Sequence, residues 1–316
     1  MINKRTVFLL GAGANVPYGF STGGELLHKL RGVDPQELMG NAGRQITEAE
    51  AAAFRAAVLD NMLPSIDPML EHRADLVRVG KRAMATLLYK DEANAGPRSF
   101  DEDWMAFIFE RMANDAPSMS AFAQNAVSFV TFNYDRYLEH RFIRGLVARY
   151  RVTGREAWDA VKQMFVHLYG SLGRLPDQAP QGLNDGTIVP LGAAESPGVY
   201  TLGVALPIAE NAIRIVHDAA PLPPEFDEAM RRFQTAEQVL FLGFGFGRQN
   251  VERLRTGQIP ASALVACTTF NMTPAEVTDM VIPAFPNHPL SDLRRAGTTG
   301  VSSIRLFLRE RISWLR

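Results

Sequence analysis

Cysteine is almost absent: Cys267 is the single thiol in 316 residues. One cysteine excludes an intrachain disulfide and any four-thiolate zinc ribbon, and His28, His72, His140, His217 and His288 lack metal-ligand spacing, so no metal is expected. Long hydrophobic runs are missing as well. No stretch approaches the roughly 20 apolar residues that span a bilayer, and Met1 to Arg5 leads into the first apolar run without a signal-peptide pattern, which points to the cytoplasm. No sign of charge dominates: 33 Lys and Arg against 34 Asp and Glu leave a formal net charge of -1. That balance excludes a molecule-wide field drawing the chain to nucleic acid or anionic membrane. Solenoid-period repeats and low-complexity tails are absent too, so the expectation is one elaborated core rather than an array.

What is present is a set of short apolar runs suited to strands buried on both faces. The strong ones are Val7 to Leu10, Val127 to Phe132, Val239 to Leu242 and Leu264 to Thr269; Phe165 to Leu168, Ile213 to Val216 and Ile304 to Leu308 are weaker. Helical patterns separate most of them. This alternation predicts an α/β fold with a Rossmann-like doubly wound parallel sheet, whose ligand crevice lies beyond the carboxyl ends of the strands. The stretch of about 31–124 is far longer than one crossover needs and is rich in helix formers, which predicts a helical insertion after the first strand within a single domain of 1–316. Residues of about 175–198 are rich in proline and glycine and read as a loop or lid.

The residues at the strand exits are therefore the candidates for ligand contact. Gly11-Ala12-Gly13-Ala14-Asn15 is a small-residue turn after an apolar run, the pattern of a backbone that approaches a phosphate. The third glycine of the dinucleotide fingerprint is missing, with Val16 in its place, so the turn alone reads equally as a tight strand exit without ligand. After the second strand, Asn133 and Asp135 stand two apart on an extended segment and point the same way, an amide and a carboxylate suited to ribose hydroxyls or to an Asx-turn. After the next run come His167, Tyr169 and Gly170; histidine titrates near neutrality and is the more natural proton acceptor. Gly243-Phe244-Gly245-Phe246-Gly247 forms a second glycine turn whose aromatics suit either a ligand ring or the core.

In this order, the motifs at 11 to 15, Phe132-Asn133-Tyr134-Asp135, His167 to Leu172 and 243 to 247 resemble the sirtuin-like family over nearly the whole chain. Ser99 to Trp104 resembles the acidic-aromatic helix start of its bacterial members. The resemblance implies an NAD site contacted by Gly11, Ala12, Gly13, Ala14, Asn15, Tyr134, Tyr169, Gly170, Gly243, Phe244 and Gly245, with Asn133, Asp135 and His167 as catalytic residues. Two departures stand out. The family's catalytic histidine immediately precedes the glycine, where this chain has Tyr169, so either His167 or Tyr169 fills that role. The family's deacylases carry a four-cysteine zinc module, which one cysteine cannot supply.

The resemblance is therefore to zinc-less bacterial relatives, NAD-consuming effectors of anti-phage defence. It implies an NAD glycohydrolase that uses NAD as substrate, releases nicotinamide and ADP-ribose, and is restrained by homo-oligomerisation or by a partner such as a separately encoded ATPase of the HerA type or another defence protein. The alternatives are a non-catalytic NAD or ADP-ribose binding module and, disfavoured by the missing glycine, a hydride-transferring oxidoreductase.

Overall fold

The computed structural model describes residues 1–34, 38, 46–97, 99–180, 186–193, 202–215, 221–288 and 303–316. Among these, the strands are β1 (Thr6–Leu10), β2 (Val127–Thr131), β3 (Phe165–His167), β4 (Gln238–Leu242) and β5 (Leu264–Cys267). They form one parallel sheet in the order β3-β2-β1-β4-β5. The chain builds outward from β1 to β3, then crosses back to lay β4 against the other side of β1. Connections thus leave β1 and β4 in opposite directions, which opens a crevice at their carboxyl ends.

Alternation within β1 decides the two layers. Phe8 and Leu10 face one side, with Phe129 and Leu240, under the helices α5 (Trp104–Ala113), α7 (Tyr137–Tyr150), α8 (Gly154–Val161) and α11 (Ile304–Glu310). Val7 and Leu9 face the other, with Val130, Val166, Val239 and Val265, under α10 (Pro224–Thr235), whose Phe226, Ala229 and Phe233 are buried there. Every residue of β1 and β4 is buried, as a strand covered on both faces requires.

The helices between β1 and β2 divide into two groups. Helices α1 (Gly23–Arg31), α2 (Glu48–Leu59), α3 (Ile66–His72) and α4 (Val77–Ala93) share a core of their own, joined by α9 (Leu202–Ala212) through Leu206 and Ala209. Thr22 with Glu25 and Thr47 with Glu50 form reciprocal capping boxes that start α1 and α2. Helices α5 and α6 (Met119–Phe122) instead cover the sheet. The α4 end is fastened by a buried ion pair: Arg136 Nη2 donates to Glu92 Oε2 at 2.5 Å, and Glu92 also accepts the Arg136 and Gly192 backbone N–H groups.

Two expected strands are corrected. Ile304 to Leu308 is helical: Ser303 caps the Leu306 N–H, and Ile304, Phe307 and Leu308 bury one helical face. Ile213 to Ile215 is irregular and Val216 lies outside the described residues. Of the expected lid, 181–185 and 194–198 also lie outside them; Arg174 and Val189 bond across its base, with Val189 N donating to Arg174 O at 2.8 Å. No helix among the described residues is long and apolar enough to cross a membrane.

Candidate functional site

A cleft opens beyond the carboxyl ends of β1, β2 and β4, walled by the sheet on one side and by α3 of the helical insertion on the other. Gly11, Ala12, Asn15, Asn133, Tyr134, Asp135, Tyr169, Phe244 and Gly245 line it. The sequence-predicted Gly13, Ala14, His167, Gly170 and Gly243 do not.

The glycines of the two turns serve each other. A Cβ on Gly11 would stand 2.4 Å from Gly243 O, and one on Gly243, at φ +59°, would stand 2.0 Å from Ala14 N. Small residues at these positions let the turns after β1 and β4 dock at van der Waals distance. Their amides are spent in the process: Gly11 N donates to Leu242 O, Gly13 N to Gly243 O and Ala14 N to Gly11 O, at 3.0, 3.0 and 2.9 Å. These three N–H donors therefore already have partners within the fold. Pro17 lies within the turn of 3-10 helix, Ala12–Tyr18, that succeeds β1. Gly170, at φ +75°, leaves no room for a Cβ beside Ala212 O and likewise makes a backbone contact. Gly245 has open space where its Cβ would be.

Asn133 is fixed from three strands. Its N–H donates to Thr131 Oγ1 at 2.9 Å, its Nδ2 to Gly11 O at 3.2 Å, and its carbonyl oxygen meets His167 Nδ1 at 2.9 Å. Asp135 is buried and accepts Asn15 Nδ2 on both oxygens, at 2.9 and 2.8 Å, and the Tyr137 N–H at 3.1 Å. Burial, then the charge of Glu92, pushes the Asp135 carboxyl up to about 7, against the pull of these donors. Asn15 turns its amide group to the Asp135 carboxylate, and its own Oδ1 is buried without a partner among the described residues.

His167 is the main departure from expectation. It lies behind Asn133 rather than in the cleft, because β3 ends at His167 and its side chain points toward α7, where Nε2 contacts Glu139 Oε1. Burial disfavours its charged form, but the adjoining Glu139 carboxylate and the Asn133 carbonyl outweigh that and hold it up to about 9. Both ring nitrogens are thus engaged within the fold, on the side away from the cleft. Tyr169, two residues on, does face the cleft. Its hydroxyl donates to Asn250 Oδ1 at 3.0 Å and accepts from Arg253 Nη1 at 2.9 Å, and burial keeps it neutral, pushed up to about 12.

Phe244 lines the cleft with its ring 5.2 Å from Phe132, whereas Phe246 is a core residue. The sequence reading missed the opposite wall: Asp67 accepts the Tyr134 hydroxyl at 2.7 Å, and Glu71 accepts from Arg253 Nη1 at 3.0 Å and Gln249 Nε2 at 2.8 Å. These pairs join residues from 67 to 182 positions apart, so no local spacing announces them. The one local sign is that Asp67 and Glu71 are four apart and share a helical face.

No family model matches the sequence, and no curated protein does. Among solved structures, the chain is similar to Sir2 homologues. One, a Sir2 homologue in complex with NAD, shares 16% identity over 98% of this chain and 90% of that one, with a TM-score of 0.45. A structure on the mechanism and regulation of Sir2 enzymes shares 14% over 99% and 92%, at 0.41. A mutant Sir2 homologue with 2'-O-acetyl ADP-ribose shares 16% over 98% and 92%, at 0.43.

Proposed function

We propose that this chain is an NAD glycohydrolase: NAD occupies the cleft, the bond between nicotinamide and ribose breaks through an oxocarbenium-like state, and water completes ADP-ribose. The observation that carries the reading is the convergence of Asn133 and Asp135, from the second of the four sirtuin-like motifs, on one cleft at the point where the strand order reverses, with Ala12, Tyr169, Phe244 and Gly245 from the other three. Asn133, braced on both its main chain and side chain, positions ribose and water. Asp135 and Asn15 receive donors of the ligand. His167 acts behind Asn133 as a positioning residue. Hydrolysis is favoured over deacylation because one cysteine cannot build the family's zinc module.

An enzyme that destroys a central cofactor must be restrained, so we place it as a regulated NAD-depleting effector of bacterial anti-phage defence, held in check by self-assembly or by a partner such as a HerA-type ATPase. The test is nicotinamide release from NAD by the purified protein, alone and with candidate activators. Turnover abolished in Asn133→Ala supports the assignment; turnover retained in that variant refutes it. The engagement of both His167 nitrogens favours a second reading, a non-catalytic NAD or ADP-ribose binding module. Tight NAD binding without cleavage under every activating condition selects it.

A further inference from the structure

A hydrolase reading needs a group in the cleft that takes a proton from water, and His167 is engaged elsewhere. Three carboxylates line the cleft: Asp67, Glu71 and Asp135. Glu71 is paired with Arg253 and Gln249, and Asp135 already accepts from Asn15 Nδ2 and the Tyr137 N–H and is assigned to the ligand's own donors. Asp67 has no cationic side chain paired to it among the described residues. Its Oδ1 accepts the hydroxyl of Tyr134, which stands between Asn133 and Asp135 in sequence. It projects from α3, across the cleft from the strand ends.

We propose, resting on the glycohydrolase reading, that Asp67 is a catalytic residue: its carboxylate faces the ribose, steadies the positive charge of the oxocarbenium-like state and accepts a proton from the attacking water. The bond between ribose C1' and the pyridinium nitrogen breaks with its electron pair going to that nitrogen, so nicotinamide leaves neutral. The water oxygen bonds to C1', and the proton it sheds passes to Asp67 and then to solvent. A fixed carboxylate beside a developing cation in a partly dry cleft acts through charge that needs no reorganisation. Tyr134 is the positioning residue, since its hydroxyl orients the carboxylate it touches.

The groups facing Asp67 give the pH dependence its sign. Burial raises its carboxyl above the usual range and the Glu71 charge adds to that, while the Tyr134 hydroxyl opposes it. Tyr169 and Arg253 complete the surroundings across the cleft. Loss of the Tyr134 hydroxyl therefore raises Asp67 further.

The experiment measures nicotinamide release against pH for the wild type, Asp67→Asn and Tyr134→Phe, with NAD binding by calorimetry. Asp67→Asn is expected to lose roughly 100-fold or more in kcat, the usual scale of a general base, while NAD affinity stays within about threefold and the acid limb of the profile disappears. Tyr134→Phe is expected to keep measurable turnover with its acid limb moved to higher pH. Asp67→Asn turning over like the wild type overturns the role, as does an unmoved acid limb in Tyr134→Phe. A wild type that releases no nicotinamide removes the hydrolase reading and this role together, whereas wild-type turnover matched by Asp67→Asn removes this role alone.

Discussion

Replacing Gly243 by alanine tests whether the two glycine turns exist to dock on one another. The residue sits at φ +59°, where an L side chain costs about 1 kcal/mol. Its new Cβ would lie 2.0 Å from Ala14 N and 2.2 Å from Gly13 C, both backbone, so the turns must part rather than a side chain swing away. Overpacking of this kind costs about 1–3 kcal/mol. The sum, about 2–4 kcal/mol, corresponds to a fall in Tm of about 3–6 °C for a chain of this size. Gly11→Ala has the same clash from the opposite side, 2.4 Å from Gly243 O, without the backbone penalty, because Gly11 lies at φ -100°. It should therefore lose about 1–3 kcal/mol. Gly245→Ala meets nothing within 4 Å and should stay within about 0.5 kcal/mol of the wild type. Thermal unfolding monitored by circular dichroism orders the three variants. A Gly243→Ala protein that melts with Gly245→Ala would refute turn docking as the reason for these glycines.

The polar interior gives three further outcomes. Asp135, raised to about 7 in the folded protein, binds a proton there that the unfolded chain has already released, so stability falls as pH rises from about 4 to 7, by at most about 4 kcal/mol; urea unfolding at pH 5 and pH 8 should show a smaller loss in Asp135→Asn, and equal losses would contradict this. His167, raised to about 9, gives stability that is present below about 6.5 and lost as pH rises through about 9; an NMR titration should find its imidazole still protonated at pH 8, and a midpoint near 6.5 would contradict the Glu139 pairing. Glu92→Gln leaves the buried Arg136 guanidinium uncompensated and should cost about 3–5 kcal/mol, recovered in large part when Arg136→Met is added; an undiminished denaturation midpoint in the single variant would count against the pair.

The sheet is legible in the chain because its strands are apolar on both faces, a pattern that survives without knowledge of partners. Val7 to Leu10 and Val239 to Leu242 fall within β1 and β4 for that reason. Ile304 to Leu308 misleads because five apolar and basic residues fit either period; the Ser303 cap and the face shared by Ile304, Phe307 and Leu308 decide for helix. At the site, Asn133 and Asp135 are legible from their two-residue spacing after a strand. The same two-residue spacing does not bring His167 and Tyr169 to one side, since the strand stops at His167 and the chain turns through Gly170. Asp67 is illegible, because what makes it notable is the Tyr134 hydroxyl reaching it from 67 residues away.

The same long-range contacts explain why the polar floor beneath Asn133 is not uniform. Two of its carboxylates have buried cationic partners, Glu92 with Arg136 and Glu139 with His167. The third, Asp135, has amide donors alone among the described residues, from Asn15 and Tyr137, and an amide withdraws less from a buried carboxylate than a full charge does. Of these three carboxyls, the one without a charged partner among the described residues is the one that also lines the cleft. His167 and Arg136 are spent on holding the neighbouring carboxylates in place, and through the Asn133 carbonyl His167 passes that rigidity to the residue at the cleft surface. A histidine two positions from the expected one can thus matter to the site without touching a ligand, by fixing the amide that does.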